Sequence, residues 1–515
     1  MKKIVFYISL AIIVNILTFL INMPDYDLWA RLAVGSIFFQ TGHILKHDIF
    51  SYLPTKYLWI DHEWGSGVVF YFLTNHFGDK GIFALKAFII LAIFILVIKI
   101  IKLQTNKYPE SILYFILFGF SLIPGMGAPV RCQVFTYVFF ILWIYELEKI
   151  KQGEFKLIWI LPLTMLLWVN MHGGFIAGIG LIIIYILGES LNRKNPLKYF
   201  GILALVLPVT LINPYGYKLW NYILEASLMP RPYIMEWQPI SLSGPIHMIE
   251  GIKIHMLAGF LIFVLLTMIA GIRLIAQKEK PDWTRIILVL SLLYLSIMHQ
   301  RHTEFFILAV SGLLYHQYVN IFEPIRNFIK KNLTENTYKI WNVIKYSFGY
   351  ILLAALFIYC VPKLSNSIIL DPLGYPVGSL EFIKQNQISG NLATRFQWGS
   401  YAFWKLYPQC KVLIDGRYEE VYPNAVFDAA MQFSVRKGDW QEILRNFHAD
   451  VLVLPKSNYS PADVSTLMDW KLVYQDAASV VLLPKNKLRP FYIYPDYRNP
   501  LYLKEDLSRK IKLDF

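Results

Sequence analysis

Residues 4–27 read IVFYISLAIIVNILTFLINMPDYD. Ile4 to Ile21 form one apolar run of about the length that crosses a bilayer as a helix. Met1-Lys2-Lys3 precede it. A cleaved signal would have a shorter apolar stretch and a small-residue cleavage site, whereas Asn22-Met23-Pro24-Asp25 follows here. The run therefore reads as an uncleaved anchor with its amino end inside. The chain then turns polar at once, and Asp25-Tyr26-Asp27 opens a loop on the far side.

The rest of the sequence repeats this alternation. Of 515 residues, 56% are hydrophobic and only 16% charged, and the mean hydropathy is +0.45. A soluble chain is nearer a quarter charged, so disorder is excluded and a polytopic membrane protein is indicated. Further apolar stretches fall at 82–98, 112–128, 133–147, 155–170, 174–189, 199–213, 254–274, 285–298, 304–319 and 346–361, about eleven spans in all. Alternation from an inside start puts twenty Lys and Arg residues in inside segments and ten in outside ones, Lys86 counted among the latter. The excess follows the positive-inside rule and accounts for the net charge of +14 without a nucleic-acid partner. Cys132, Cys360 and Cys410 form neither a disulfide framework nor a zinc site.

This topology predicts a membrane domain over 1–361 and an extracytoplasmic domain over 362–515. In the first outer loop, 23–80, Leu28–Phe39 and Trp64–Phe77 are too short to span and read as helices along the membrane surface. A second outer loop, 213–253, is rich in Pro, Trp and Tyr. In the tail, helical patterns at 378–387, 422–434, 439–447 and 460–469 alternate with strand patterns at 411–414, 451–454, 471–474 and 480–483. A small α/β domain with a mainly parallel sheet is expected.

The unusual polar residues gather on the outer side. They are Asp25, Asp27, His47-Asp48, Asp61-His62-Glu63, Arg131, Gln133, Trp168-Val169-Asn170-Met171-His172, Asn213, Glu236 and His299-Gln300-Arg301-His302. An ionisable group at membrane depth is costly and marks function by default. Carboxylates, imidazoles and guanidiniums around one outward cavity suit acid–base work on a substrate bearing a phosphate. Structural alternatives stand beside each assignment. Asp27 also suits an N-cap for the helix from Leu28, and Asp61 a cap for the second surface helix. His172 also suits a solvated turn, and Arg131 and Arg301 suit snorkelling. Asp415-Gly416-Arg417 follows a strand, where α/β ligands bind, but reads equally as a plain turn.

As a set, these motifs resemble a bacterial membrane family related to the GT-C glycosyltransferases. The resemblance rests on Asp25-Tyr26-Asp27-Leu28-Trp29 with Gly35, His47-Asp48-Ile49-Phe50-Ser51-Tyr52, Trp59-Ile60-Asp61-His62-Glu63-Trp64, Trp168-Val169-Asn170-Met171-His172-Gly173, Ile212-Asn213-Pro214-Tyr215-Gly216 and Glu236-Trp237. In the tail, Trp398-Gly399-Ser400-Tyr401 and Ile414-Asp415-Gly416-Arg417 extend it. It implies transfer of a hexose or pentose from a polyprenyl-phosphate donor to a glycan, lipid or protein acceptor. It also implies a location in the bacterial plasma membrane. The acidic motif of such enzymes falls on Asp25 and Asp27, one as general base; some relatives also hold a divalent metal, Mg²⁺ or Mn²⁺, with such a carboxylate. From their position, Arg131, His172, Arg301 and His302 are assigned to the donor phosphate and sugar. Asp48, Asp61, Glu63, Glu236, Asp415 and Arg417 are assigned to the acceptor or to support. Arg31 departs from the family, many members of which carry His there. The competing class is a non-catalytic transporter, flippase or envelope scaffold. Transporters show repeats and charges near the midplane, and neither is seen here.

Overall fold

The computed structural model describes residues 2–127, 131–241, 246–249, 252–255, 257–458 and 467–513. In chain order the helices begin with α1 (Lys2–Phe19), α2 (Leu28–Thr41), α3 (Trp64–Phe77), α4 (Asp79–Thr105), α5 (Ile112–Ser121), α6 (Ile123–Met126) and α7 (Gln133–Lys151). Next come α8 (Ile160–Met171), α9 (Ile176–Leu191), α10 (Leu197–Val209), α11 (Tyr217–Leu228), α12 (Ala258–Ala276), α13 (Trp283–Met298), α14 (Thr303–Leu313), α15 (Tyr315–Ile321), α16 (Glu323–Asn332) and α17 (Glu335–Cys360). The tail supplies α18 (Val377–Gln385), α19 (Phe396–Leu406), α20 (Tyr418–Val421), α21 (Asn424–Val435) and α22 (Glu442–Asn446). Two short strands, β1 (Ile246–Ile249) and β2 (Ile252–His255), pair antiparallel in the loop before α12. The tail strands are β3 (Gly390–Thr394), β4 (Cys410–Val412), β5 (Val451–Pro455), β6 (Trp470–Gln475) and β7 (Ser479–Pro484).

Two compact units emerge. One comprises Met1–Ile21, Phe83–Gly216 and Ser227–Ser365; the other comprises Asn22–Ile82, Tyr217–Ala226 and Asn366–Phe515.

Apart from β1 and β2, the described secondary structure of the first unit is helical. Asp79–Thr105, Gly173–Leu191, Ala258–Ala276 and Glu335–Lys363 are each long and apolar enough to cross a membrane, and several shorter apolar helices stand beside them. Each of the eleven apolar stretches contains helix, although 254–255 belong to β2 and 155–159 precede α8. The stretch at 112–128, whose last residue lies outside the described residues, breaks into α5 and α6, and the one at 304–319 breaks into α14 and α15. On α12, Leu265, Met268 and Ile272 are more than half exposed, as lipid contact requires. Lys86, expected in an outer loop, instead lies buried on α4 and donates to the Gly127 carbonyl at 2.7 Å.

Where the ends of α7 and α9 meet the start of α13, the polar side chains satisfy one another. Lys151 reaches Asp282 at 2.8 Å and Glu189 at 3.3 Å. Tyr185 donates to Glu148 at 2.8 Å, and Thr284 donates to Glu189 at 2.9 Å. Buried charges are tolerable only when matched in this way.

The second unit is built on a five-stranded sheet of order β4-β3-β5-β7-β6. β3 pairs in parallel with β4 and β5, whereas β7 pairs antiparallel with β5 and β6. The sheet is therefore mixed, not mainly parallel. Only Asp476, Ala477 and Ala478 separate β6 from β7, too few for a crossover, so these two must form a hairpin. The helix expected at 460–469 lies mostly outside the described residues. Around Ser51 the first loop bridges in parallel to Val412, adding to the edge of the sheet. α2 packs against α19 and α3, and Leu28 to Ile37 are buried without a break. The apolar residues that α2 and α3 leave exposed are Phe39, Phe72 and Phe77.

Candidate functional site

Asp25-Tyr26-Asp27 forms a turn in the second unit. An oxygen of Asp25 accepts the Asp27 N–H at 3.0 Å, a local bond for which aspartate is well suited. Aromatic posts fix the turn on both sides. The Tyr26 ring lies 4.9 Å from that of Tyr375, and the Tyr375 hydroxyl donates to the Pro24 carbonyl at 3.1 Å. The wholly buried Trp29 donates to Tyr375 at 3.2 Å and packs on Tyr401. Asp27 lies over Gly416, where a Cβ would come within 2.8 Å of its carboxylate. Asp27 occupies the N-cap position of α2, yet its side chain makes no capping bond. The capping alternative therefore fails.

A second cluster lies along the same loop. Arg31, buried, pairs with Asp61 and lies 3.6 Å from both Glu63 and Glu420. Glu420 also accepts from the Trp59 indole at 2.9 Å and contacts His62 at 3.0 Å. Burial opposes protonation of His62, but Glu420 and Glu63 outweigh it and raise its pKa to about 9. Burial likewise opposes ionisation of Glu420, but Arg31 and His62 hold its pKa below the usual carboxylate range. Asp61 accepts the Glu63 N–H at 3.0 Å but is not the cap of α3: that position falls to Glu63, which makes no side-chain capping bond. The main partner of Asp61 is Arg31. Among the described residues, a set of three donors that could gather round a metal is His62, Glu63 and Glu420. As placed, the Arg31 guanidinium supplies the positive charge beside both glutamates, so this is an ion-paired cluster and not a cation cradle.

Asp48, Asp415 and Arg417 form a third, buried set. Arg417 grips Asp415 with two bonds of 2.7 Å and also pairs with Asp48. Tyr422 donates to Asp415 at 2.7 Å. Phe50, Trp59 and Phe403 surround the guanidinium at about 5 Å. Burial alone would raise Asp415, but Arg417 keeps it ionised; the same contact keeps Arg417 charged despite its burial. Asp48 also accepts the Phe50 and Ser51 N–H groups. The trio clasps loop to sheet and supports the Asp27 turn above Gly416.

The remaining candidates lie in the helical unit. Glu236 contacts Arg131 at 2.9 Å and Arg301 at 3.5 Å. Burial would raise its carboxyl, yet the two guanidiniums bring it to about 2. The Trp237 ring lies 4.1 Å from the Arg231 guanidinium and 4.4 Å from that of Arg301. His302 is pushed down to about 4 by burial and by Arg301, so it is a neutral imidazole at pH 7 and adds no positive charge. His172 belongs to another set of contacts. Its Nδ1 accepts the Gly174 N–H at 2.9 Å and lies 2.8 Å from the Thr136 hydroxyl, which itself accepts from Trp168 at 2.8 Å. With Nδ1 so engaged, the neutral ring carries its proton on Nε2. Gly174 leaves room for this, since a Cβ there would meet Thr136 and His172 within 2.7 Å. Sequence reasoning passed over Glu420, Arg231 and Arg395. Arg231 had a usable signal, lying six residues before Trp237 in a loop rich in aromatics.

No family model and no curated protein matches the chain. Solved structures do. The archaeal oligosaccharyltransferase AglB from Archaeoglobus fulgidus, in complex with an inhibitory peptide and a dolichol-phosphate, matches with a TM-score of 0.55 and 10% identity, over 88% of this chain and 69% of its own. ArnT from Cupriavidus metallidurans in the apo state matches with a TM-score of 0.50 and 10% identity, over 93% of this chain and 97% of its own. The arabinofuranosyltransferase AftD from Mycobacteria matches with a TM-score of 0.50 and 12% identity, over 95% of this chain and 40% of its own. At such identities the likeness is one of architecture. The chain has the fold of the GT-C glycosyltransferases, an α-helical membrane protein carrying a C-terminal α/β domain.

Proposed function

We propose that the protein transfers a sugar from a polyprenyl-phosphate-type lipid donor to an acceptor on the outer face of the membrane. The observation that carries this reading is the Asp25-Tyr26-Asp27 turn, two carboxylates held by buried aromatic posts in a chain of GT-C fold. Asp25 or Asp27 takes the proton of the acceptor hydroxyl as its oxygen bonds to the anomeric carbon. The bond from that carbon to the phosphate oxygen breaks, and the lipid phosphate departs with its electrons. In-line displacement inverts the anomeric centre. For the phosphate we name Arg131 and Arg301, with His302 and His172 as neutral donors. Asp61, Glu63, Asp48, Asp415 and Arg417 support the loop. In this reading 1–361 is the membrane domain and 362–515 lies outside. The amino end lies in the cytoplasm of a bacterial cell, and the membrane is its plasma membrane.

The test is donor turnover by mass spectrometry. Membranes bearing the wild type or the Asp25→Asn/Asp27→Asn double variant receive a panel of polyprenyl-phosphate sugars. Wild type is expected to consume a donor, and the double variant to lose about 10²–10⁴-fold in rate, the usual worth of a general base. Equal turnover by both sinks the carboxylate assignment. Lipid binding without turnover by either makes the protein a non-catalytic carrier or scaffold.

A further inference from the structure

At the carboxyl end of β3 the chain passes through Arg395 into α19. β3 lies between its parallel partners β4 and β5, so the chain leaves it for one side and later returns on the other. The edge beyond such a switch is where open α/β sheets take their ligands. Arg395 is half-buried there. Its guanidinium lies 4.1 Å over the Trp398 ring, and its charge bears on the phenol of Tyr26, the middle residue of the Asp25-Tyr26-Asp27 turn. Trp398 is itself fixed, donating to the Gly374 carbonyl at 2.7 Å.

Two buried arginines of this unit are answered by acids: Arg31 by Asp61, Glu63 and Glu420, and Arg417 by Asp415 and Asp48. Arg395 is not. Among the described residues, the groups that bear on its charge reduce to the Tyr26 phenol. A guanidinium drawn out of water, oriented by an aromatic face and left without an acid is placed to receive an anion, and its planar fork suits phosphate. The start of α19 is not the attracting feature, because the Phe396 N–H already donates to Ser434 at 2.9 Å.

We propose that Arg395 anchors an anion subsite beside the Asp25-Tyr26-Asp27 turn and takes a phosphate monoester. The phosphate is either that of a lipid, distinct from the donor phosphate given to Arg131 and Arg301, or that of a phosphorylated glycan. The subsite deepens the proposed transfer by giving a phosphate a place beside the carboxylates, but phosphate binding there does not require turnover.

The full chain in lipid nanodiscs is treated with phenylglyoxal, and labelling of the Arg395 peptide is read by mass spectrometry. One arm carries decaprenyl phosphate in the disc, and the other glucose 6-phosphate in solution. One probe is expected to slow labelling of Arg395 about tenfold, and Arg395→Gln to bind that probe about tenfold more weakly, the worth of a lost charge-assisted bond. Arg395→Lys, which keeps the charge but not the fork, falls between. Protection by decaprenyl phosphate assigns the site to the lipid, and protection by glucose 6-phosphate to the glycan. If neither probe protects, or if Arg395→Gln binds both as tightly as wild type, the subsite is refuted. The labelling is read on wild type, so a variant that fails to fold does not obscure it. A chain that turns over donor through Asp25 and Asp27 but shows no protection of Arg395 would refute the subsite alone.

Discussion

Glu420 meets Arg31, His62 and the Trp59 indole at once, and the imidazole among these partners titrates near 9. A histidine whose pKa rises on folding contributes stability that is complete below its unfolded value of about 6.5 and is lost as pH rises through the folded value. The expected result is a melting temperature that falls as pH is raised from about 6.5 to 9.5, with at most about 3 kcal/mol at stake. His62→Gln should flatten that slope. An unchanged slope in the variant would show that His62 is not the titrating group. Asp61 and Glu63 stand out in the sequence because they sit in one short acidic motif, but Glu420 does not. It lies more than 350 residues from Arg31, and no local spacing announces such a pairing.

The elements differ in how openly the sequence declares them. α2 and α3 do so fully, with apolar periodicity bounded by Asp27 and Gly42 for one and by Glu63 and Gly78 for the other. Their crossing is closer than periodicity can tell. A Cβ on Gly35 would run into the Gly67 carbonyl and the Tyr71 side chain, and one on Gly67 would lie 2.7 Å from the Arg31 carbonyl. Gly35→Ala is therefore expected to cost about 1–3 kcal/mol, as overpacking does, and to lower the melting temperature. Gly201→Ala, which meets nothing within 4 Å on α10, should be neutral or slightly stabilising. Equal melting of the two variants would refute the close crossing. β3 and α19 escaped sequence reading because Gly390, Asn391 and Gly399 look like turn residues, and Arg395 was lost in the seam between them. The antiparallel turn of β7 could have been inferred from its short connection to β6, whereas alternation alone suggested parallel strands.

At the scale of the whole molecule, the charge asymmetry of the loops carries the orientation proposed above. Cys132, Cys360 and Cys410 are buried, so one introduced thiol can be read against a quiet background. Tyr57→Cys, at a side chain 89% exposed, is expected to react with a membrane-impermeant maleimide in intact cells. Lys280→Cys should react only after permeabilisation. The reverse pattern would invert the topology. The unit that holds the Asp25-Tyr26-Asp27 turn is assembled from three separate stretches of chain, 22–82, 217–226 and 366–515. During synthesis the first stretch leaves the ribosome long before the last, so Trp29 and Trp59 must wait, unburied, for Tyr375, Tyr401 and Glu420 to be made. A nascent chain halted after α17 would have its membrane anchors in place but would display an unfinished core to quality-control proteases. Truncation would thus erase the protein from the cell instead of merely trimming it.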